Sequence, residues 1–208
     1  MYPMLRIPLK APVTRAITPL CRIALRIGLT PNLVTVLGTI GVATSALIFY
    51  PNGNLFWGTL VICFFALTDL FDGTMARLSN TGPSRWGALL DATMDRISDA
   101  AIITGLLLYT LKSDELSTQS LLLAVSLVAG FLVSYIKAKA ESLDIECEGG
   151  FAERTERLII VLATAGFAGL NVPHALVVGL ALLSFASVVT VVQRLVIVFR
   201  SHNSHERY

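Results

Sequence analysis

The chain has 208 residues, of which 54% are hydrophobic and only 14% are charged, and its mean hydropathy is +0.71. A soluble domain carries about a quarter charged residues, so this composition excludes an ordinary soluble protein. The net charge is only +2, and we expect no nucleic-acid partner. The composition predicts an all-α polytopic membrane protein with a single membrane domain over residues 1–208.

The N-terminal segment, residues 1–30, alternates basic residues with short apolar stretches. It has neither the continuous apolar core nor the small-residue cleavage site of a signal peptide. The pattern is typical of an amphipathic helix that lies on an anionic membrane surface, so we expect an interfacial helix. At the other end, residues 201–208 form a polar tail.

Between these ends the sequence predicts six transmembrane helices, because each apolar segment is near the ~20 residues that a helix needs to cross the hydrocarbon. The segments are residues 33–50, 55–78, 86–111, 118–141, 155–171 and 174–198. With six spans, all but Lys112 of the 16 Lys and Arg residues fall on or near one side. The positive-inside rule then predicts that both termini are cytoplasmic, together with the adjoining ends of the second and third segments.

Two acidic motifs stand near the cytoplasmic ends of the second and third segments. They read Asp69-x-x-Asp72-Gly73-x-x-Ala76-Arg77 and Gly87-x-x-x-Asp91-x-x-x-Asp95. The spacing puts the two carboxylates of each motif on one helix face, and two antiparallel helices can point all four toward one place. Clustered carboxylates at a membrane span are costly and usually functional, and their hard oxygens favour Mg²⁺, Mn²⁺ or Ca²⁺.

The residues around the carboxylates suit a phosphate ligand. Gly73 leaves room for a ligand beside Asp72, and Arg77, one turn further on, can clamp a phosphate with two hydrogen bonds. The alternative is that the aspartates only form ion pairs with Arg77, Arg85 and Arg96.

These motifs resemble the signature of the CDP-alcohol phosphotransferase family, although the spacer from Arg77 to Gly87 is one residue longer than usual. The resemblance implies a membrane-embedded enzyme, usually a homodimer, that transfers a group from a CDP-linked lipid to an alcohol. It also implies that Asp69, Asp72 and Asp91 bind metal, Mg²⁺ or Mn²⁺ and two ions in all. Asp95 would be both a metal ligand and the catalytic base, and Gly73 and Arg77 would contact the CDP group.

A second group of polar residues suggests a phosphate on the acceptor. Ser134 and Lys137 share one face of the fourth segment, Arg154 and Arg157 open the fifth, and Arg194 lies within the sixth. An arginine inside an apolar span is costly unless it faces a polar cavity. The alternative is cytoplasmic charge that contacts lipid headgroups, with Arg154 paired to Glu153 or Glu156. Asp99 continues the stripe of acidic residues and is expected to support Arg96 or the cluster.

Three further stretches, residues 28–35, 134–141 and 149–157, are similar to the bacterial members of this family that make phosphatidylinositol phosphate. That resemblance implies a cell-membrane enzyme that converts CDP-diacylglycerol and inositol 3-phosphate to phosphatidylinositol phosphate and CMP. The residues that would hold the CDP-lipid are Pro31, Asn32, Leu33, Val34, Thr35 and Ser84. Two alternatives stay open: glycerol 3-phosphate as the acceptor, and a cation transporter that uses the acidic cluster as its ion site.

Overall fold

The computed structural model of the chain describes residues 10–79, 82, 84–112 and 117–205, with side chains from residue 17 to residue 201 within these ranges. Over the described residues the backbone forms eight helices and no strand, which confirms the all-α prediction. Residues 1–9 of the expected interfacial segment and residues 206–208 of the polar tail lie outside the described residues.

The helices follow one another with short connections. They are α1 Lys10–Arg26, α2 Pro31–Phe49, α3 Leu55–Ala66, α4 Thr68–Leu78, α5 Arg85–Thr110, α6 Thr118–Glu141, α7 Arg154–Gly169 and α8 Ala175–His205.

Four stretches of the described chain are long and apolar enough to cross a membrane. They are Pro31–Phe49, Leu55–Leu78, Thr118–Glu141 and Ala175–Ser201. The other two predicted spans, residues 86–111 and 155–171, are not among these stretches. Helix α5 has 26 residues but carries several charges, and α7 has only 16 residues. The chain is therefore a helical membrane protein with four such stretches in its described part.

The connection from α1 to α2 shows why these helices end and begin where they do. Gly28 has φ +88°, and the N–H of Leu29 donates to the carbonyl of Ala24, which closes α1 with a left-handed glycine. The hydroxyl of Thr30 accepts from the N–H of Leu33. Pro31 occupies the first helical position, where a backbone N–H has no partner within the helix, so the missing N–H of proline costs no hydrogen bond.

The second predicted span, residues 55–78, is confirmed as one apolar stretch, and the helices α3 and α4 within it meet at Leu67. Leu67 keeps a right-handed helical backbone (φ −63°, ψ −20°), and the hydroxyl of Thr68 donates to the carbonyl of Phe65 at 2.6 Å. A side chain on Gly38 of α2 would overlap with that of Thr68, so glycine is required for this close approach. Asp69 lies in the first turn of α4.

The helices group into two compact units. The first consists of residues 1–44 and 62–98, and in it α1 packs against α4. There the thiol of Cys21 donates to the carbonyl of Phe71 at 3.7 Å. This unit contains both acidic motifs.

The second unit consists of residues 45–61 and 99–208, and in it α8 packs against both α6 and α7. The hydroxyls of Ser126 and Ser184 are 2.8 Å apart and link α6 to α8. A side chain on Gly179 would overlap with Thr164, so α7 and α8 approach closely at this glycine. Small and hydroxyl-bearing residues are the usual means of close helix packing in a membrane.

Candidate active site

The carboxylates of the two acidic motifs come from two helices of the first unit. Asp69 and Asp72 lie on α4, and Asp91 and Asp95 lie on α5. Asp72 is buried, with 6% of its surface exposed, whereas Asp91 is exposed at the surface. The charges of Asp69 and Asp91 lie near enough to Asp72 to act on it unfavourably. Helices α4 and α5 thus place the carboxylates of Asp69 and Asp91 where each repels the carboxylate of Asp72.

A threonine of α2 holds the buried carboxylate. The hydroxyl of Thr35 donates to Oδ2 of Asp72 at 2.6 Å, and both side chains are buried. The same hydroxyl lies 3.1 Å from the carbonyl of Pro31, one turn earlier in α2. This contact fixes one carboxylate oxygen of Asp72 against α2.

The residues fit a hard divalent cation. Within the described part of the chain, no three His, Cys, Asp or Glu side chains are already arranged as a metal site. The donors are nevertheless carboxylate oxygens, and the repulsion that Asp69 and Asp91 exert on Asp72 is what a bound cation would relieve. A soft metal binds thiolate or imidazole ligands, and neither motif contains a cysteine or a histidine.

Asp95 is half-buried on α5. Its Oδ2 lies 3.8 Å from NH2 of Arg96, the next residue. A contact at that distance is a weak ion pair.

Gly73 and Arg77 follow Asp72 on α4. A Cβ added to Gly73 would have no heavy atom within 4 Å, so the glycine borders open space rather than a packed neighbour. Arg77 is exposed, and its NH2 donates to the hydroxyl of Thr74 at 3.1 Å. Open space beside an exposed guanidinium suits a phosphate group.

Two of the expected nucleotide contacts meet at Gly87. A Cβ on Gly87 would lie 3.0 Å from Oγ of Ser84 and 3.2 Å from Oδ1 of Asn32, so both polar groups approach this glycine. Ser84 also accepts from the N–H of Gly87 at 2.9 Å and so caps the start of α5. Sequence reasoning missed this capping role, for which the serine three residues before Gly87 was the available signal. Pro31, Leu33 and Val34 lie in the first turn of α2 beside Asn32.

The expected acceptor residues lie in the second unit, on three helices. On α6, the hydroxyl of Ser134 donates to the carbonyl of Gly130 at 3.3 Å. The ammonium of Lys137 lies 3.8 Å from Oε1 of Glu141, and both side chains are largely exposed.

Arg154 and Arg157 open α7 and have different surroundings. Nε of Arg154 donates to Oδ1 of Asp99 at 3.3 Å, a pair that the sequence analysis did not predict. Asp99 is distant in sequence, which is why spacing alone did not reveal the pair. Arg157 is 7% exposed, and its NH1 donates to the carbonyl of Ala152 at 3.0 Å.

Arg194 is buried within α8, with 5% of its surface exposed. Its NH1 donates to the carbonyl of Val133 at 2.7 Å, and its Nε donates to the carbonyl of Gly149 at 3.2 Å. The arginine thus links α8 to α6 and to the segment before α7. Two neighbours on α8 that the sequence analysis did not single out, Thr190 and Gln193, bind the same segment.

Comparison with a family model identifies the protein family of this chain. The family model for CDP-alcohol phosphatidyltransferase matches residues 28–192, which is most of the chain and includes both acidic motifs. The chain therefore belongs to the CDP-alcohol phosphatidyltransferase family.

Similar proteins within this family share one name. A phosphatidylinositol phosphate synthase of Mycobacterium tuberculosis is 46% identical over 203 residues, which cover 95% of this chain and 92% of that protein. The phosphatidylinositol phosphate synthase of Streptomyces avermitilis is 44% identical over 198 residues, covering 90% of this chain and 79% of that protein.

Solved structures agree with the sequence comparison. The phosphatidylinositol phosphate synthase of M. tuberculosis with CDP-DAG bound matches with a TM-score of 0.86 at 47% identity, over 90% of this chain and 95% of that one. The same enzyme in complex with manganese and citrate matches with a TM-score of 0.83 at 47% identity, over 88% and 89%.

Proposed function

We propose that this protein transfers the phosphatidyl group of CDP-diacylglycerol to 1D-myo-inositol 3-phosphate and releases CMP, in phospholipid biosynthesis. The observation that carries the proposal is the 47% identity, over 90% of the chain, to a phosphatidylinositol phosphate synthase whose structure holds CDP-DAG. The product would be phosphatidylinositol phosphate.

The acidic motifs are proposed to hold the metal. Asp69, Asp72, Asp91 and Asp95 would bind Mg²⁺, with Mn²⁺ as an alternative, and two ions would fit a set of four carboxylates. Support comes from the repulsion that Asp69 and Asp91 exert on Asp72 and from the manganese in the similar solved enzyme. When bound, the metal would neutralise the negative charge of the pyrophosphate and of the leaving CMP.

Asp95 is proposed as the catalytic base. An acceptor hydroxyl oxygen forms a bond to the phosphorus that carries the diacylglycerol, while the bond from that phosphorus to the CMP oxygen breaks. The hydroxyl proton passes to the Asp95 carboxylate, and the electron pair of the broken bond leaves with CMP.

The CDP-lipid is proposed to bind the first unit. Pro31, Asn32, Leu33, Val34 and Thr35 at the start of α2, together with Gly73, Arg77 and Ser84, would hold it. Two observations support this: the open space at Gly73, and the approach of Asn32 and Ser84 to Gly87. Arg77 would bind a phosphate oxygen, and the amide and hydroxyl groups would hydrogen-bond the cytidine.

The acceptor phosphate is proposed to bind residues of the second unit. They are Ser134, Lys137, Arg154, Arg157 and Arg194, which offer one hydroxyl, one ammonium and three guanidinium groups. Burial of Arg157 and Arg194 supports this role, because a buried cation favours an anionic ligand strongly.

The membrane arrangement is also proposed. Helices α2, α3 with α4, α5, α6, α7 and α8 would make six spans, with α1 on the membrane surface. Both termini and the active site would face the cytoplasm of a bacterial cell, because all but Lys112 of the Lys and Arg residues fall on one side. Residues 1–208 of each chain would form a single membrane domain, and the working form would be a homodimer.

One experiment tests the reaction. The full-length protein in detergent is given CDP-diacylglycerol and Mg²⁺, and CMP release is measured with inositol 3-phosphate, free inositol or glycerol 3-phosphate. We expect release with inositol 3-phosphate alone and its loss in Asp95→Asn. Release with glycerol 3-phosphate instead would overturn the acceptor but keep the reaction class. Release with none of them would favour a cation site, which metal flux into liposomes would then test.

A further inference from the structure

The segment that leads into α7, residues 149–152, is bound to α8 through its backbone. We call it the 149–152 loop. The N–H of Phe151 donates to Oε1 of Gln193 at 2.6 Å, and the N–H of Ala152 donates to Oγ1 of Thr190 at 2.9 Å. Thr190 and Gln193 are three residues apart in α8, so both face the same side of the helix.

Two further contacts make this attachment close. Nε of Arg194 donates to the carbonyl of Gly149 at 3.2 Å. A Cβ on Gly150 would lie 2.7 Å from Cγ2 of Thr190, and Gly150 has φ +145°, so only glycine lets the loop approach α8 this closely. Successive residues of the loop are therefore held by one face of α8.

The loop also contacts Arg157. The carbonyl of Ala152 accepts from NH1 of Arg157 at 3.0 Å, while the N–H of Ala152 donates to Thr190. Thr190 has no exposed surface and Arg157 is 7% exposed, so this chain of two hydrogen bonds is shielded from solvent. A displacement of Ala152 would carry the guanidinium of Arg157 with it.

We infer that Thr190 and Gln193 are positioning residues for the acceptor: they fix the 149–152 loop, and the loop fixes the guanidinium of Arg157. The inference rests on the proposed function, because it assumes that Arg157 binds the acceptor phosphate. Neither residue needs to touch a substrate. Their effect is on the affinity for the phosphorylated acceptor and leaves the CDP-lipid unaffected.

The first test compares Thr190→Val with Thr190→Ser. Valine keeps the shape and loses the hydroxyl, whereas serine keeps the hydroxyl. From the loss of a buried hydrogen bond, we expect Thr190→Val to raise the KM for inositol 3-phosphate about tenfold. The KM for CDP-diacylglycerol and kcat should stay within about twofold of wild type, and Thr190→Ser should behave like wild type.

The second test uses Gln193, which is exposed, so its replacement does not threaten folding. Gln193→Met removes the oxygen that accepts from Phe151 and should raise the KM for inositol 3-phosphate about threefold. Gln119→Met, the same change in the first turn of α6, is the matched control and should change nothing.

Amide hydrogen exchange separates this inference from the proposed function. Exchange at Ala152 should quicken in Thr190→Val and exchange at Phe151 in Gln193→Met, with no change in Thr190→Ser or Gln119→Met. If wild type does not use inositol 3-phosphate, the acceptor assignment fails while the exchange data still show whether α8 holds the loop. Unchanged exchange in both variants overturns the inference. So does an unchanged KM for inositol 3-phosphate, or an equal rise in both KM values.

Discussion

The hydroxyl of Thr35 on α2 donates a 2.6 Å hydrogen bond to Oδ2 of Asp72 on α4, and both side chains are buried. A hydrogen bond of this length to a carboxylate oxygen is strong, and it fixes how the carboxylate is turned. Thr35 was expected to contact the CDP-lipid, and the structure gives it a partner within the acidic cluster. A residue that hydrogen-bonds a metal ligand fixes the orientation of that ligand and so raises the affinity of the site for the metal.

We therefore expect Thr35→Val to weaken metal binding. The concentration of Mg²⁺ or Mn²⁺ that gives half-maximal CMP release should rise by about 10-fold or more, because the loss of an orienting partner costs 10–100-fold in metal affinity. Thr35→Ser keeps the hydroxyl and should need nearly the wild-type concentration. A Thr35→Val enzyme with the wild-type metal requirement would show that the hydroxyl does not orient Asp72 for a metal.

The sequence predicted residues 55–78 as one apolar stretch, and the structure has the same stretch, Leu55–Leu78. Helical spacing was enough to group Asp69 with Asp72 and Asp91 with Asp95, because side chains one turn apart share a face whatever the tertiary structure. The boundary between α3 and α4 at Leu67, within that stretch, was not predicted, because the hydroxyl of Thr68 donates to the carbonyl of Phe65 and apolar periodicity does not reveal such a local hydrogen bond.

Two contacts between residues distant in sequence were not predicted. The pairing of Arg154 with Asp99, and the binding of the 149–152 loop by Thr190, join segments whose proximity only the fold determines. Along the chain, the acidic residues nearest to Arg154 are Glu153 and Glu156. Asp99 is 55 positions away, and tertiary packing brings it to Arg154.

Substitution of Gly73 should affect ligand binding and folding stability in opposite directions. Its position in α4 borders open space, so Gly73→Ala should fold normally and gain about 0.5–1 kcal/mol of helix stability. The added methyl group would intrude where the CDP-lipid is proposed to bind, and the KM for CDP-diacylglycerol should rise about tenfold or more. Thermal unfolding in detergent and the two KM values are the measurements.

Gly38→Ala is the matched control for that substitution. The same methyl group would overlap with Thr68, so the melting temperature should fall by several degrees, in line with overpacking that costs about 1–3 kcal/mol. If Gly73→Ala lost as much stability as Gly38→Ala, the space at Gly73 would be structural and the argument for a ligand there would fail.

Metal binding should also be visible without catalysis. Saturating Mn²⁺ is expected to raise the melting temperature of wild type, because a ligand at about 100 times its Kd adds about 2.7 kcal/mol to the folded state. Asp72→Asn should lose most of this shift. Asp144→Asn changes an exposed acidic residue of the second unit, at φ 56° where Asn is well tolerated, and should keep it. An equal Mn²⁺ shift in both variants would place the ion elsewhere.

The contact between Arg154 and Asp99 leads to a prediction about coupling. Both side chains are about a quarter exposed, at 26% and 25%, so solvent screens the pair and its value for stability is small. The pair would affect catalysis by orienting the guanidinium of Arg154. Asp99→Asn should lower kcat/KM for inositol 3-phosphate by about threefold to tenfold, and should do nothing further once Arg154→Gln is present. A double-mutant cycle on kcat/KM measures this, with an expected coupling on the order of 1 kcal/mol. Additive losses would mean that Asp99 acts independently of Arg154.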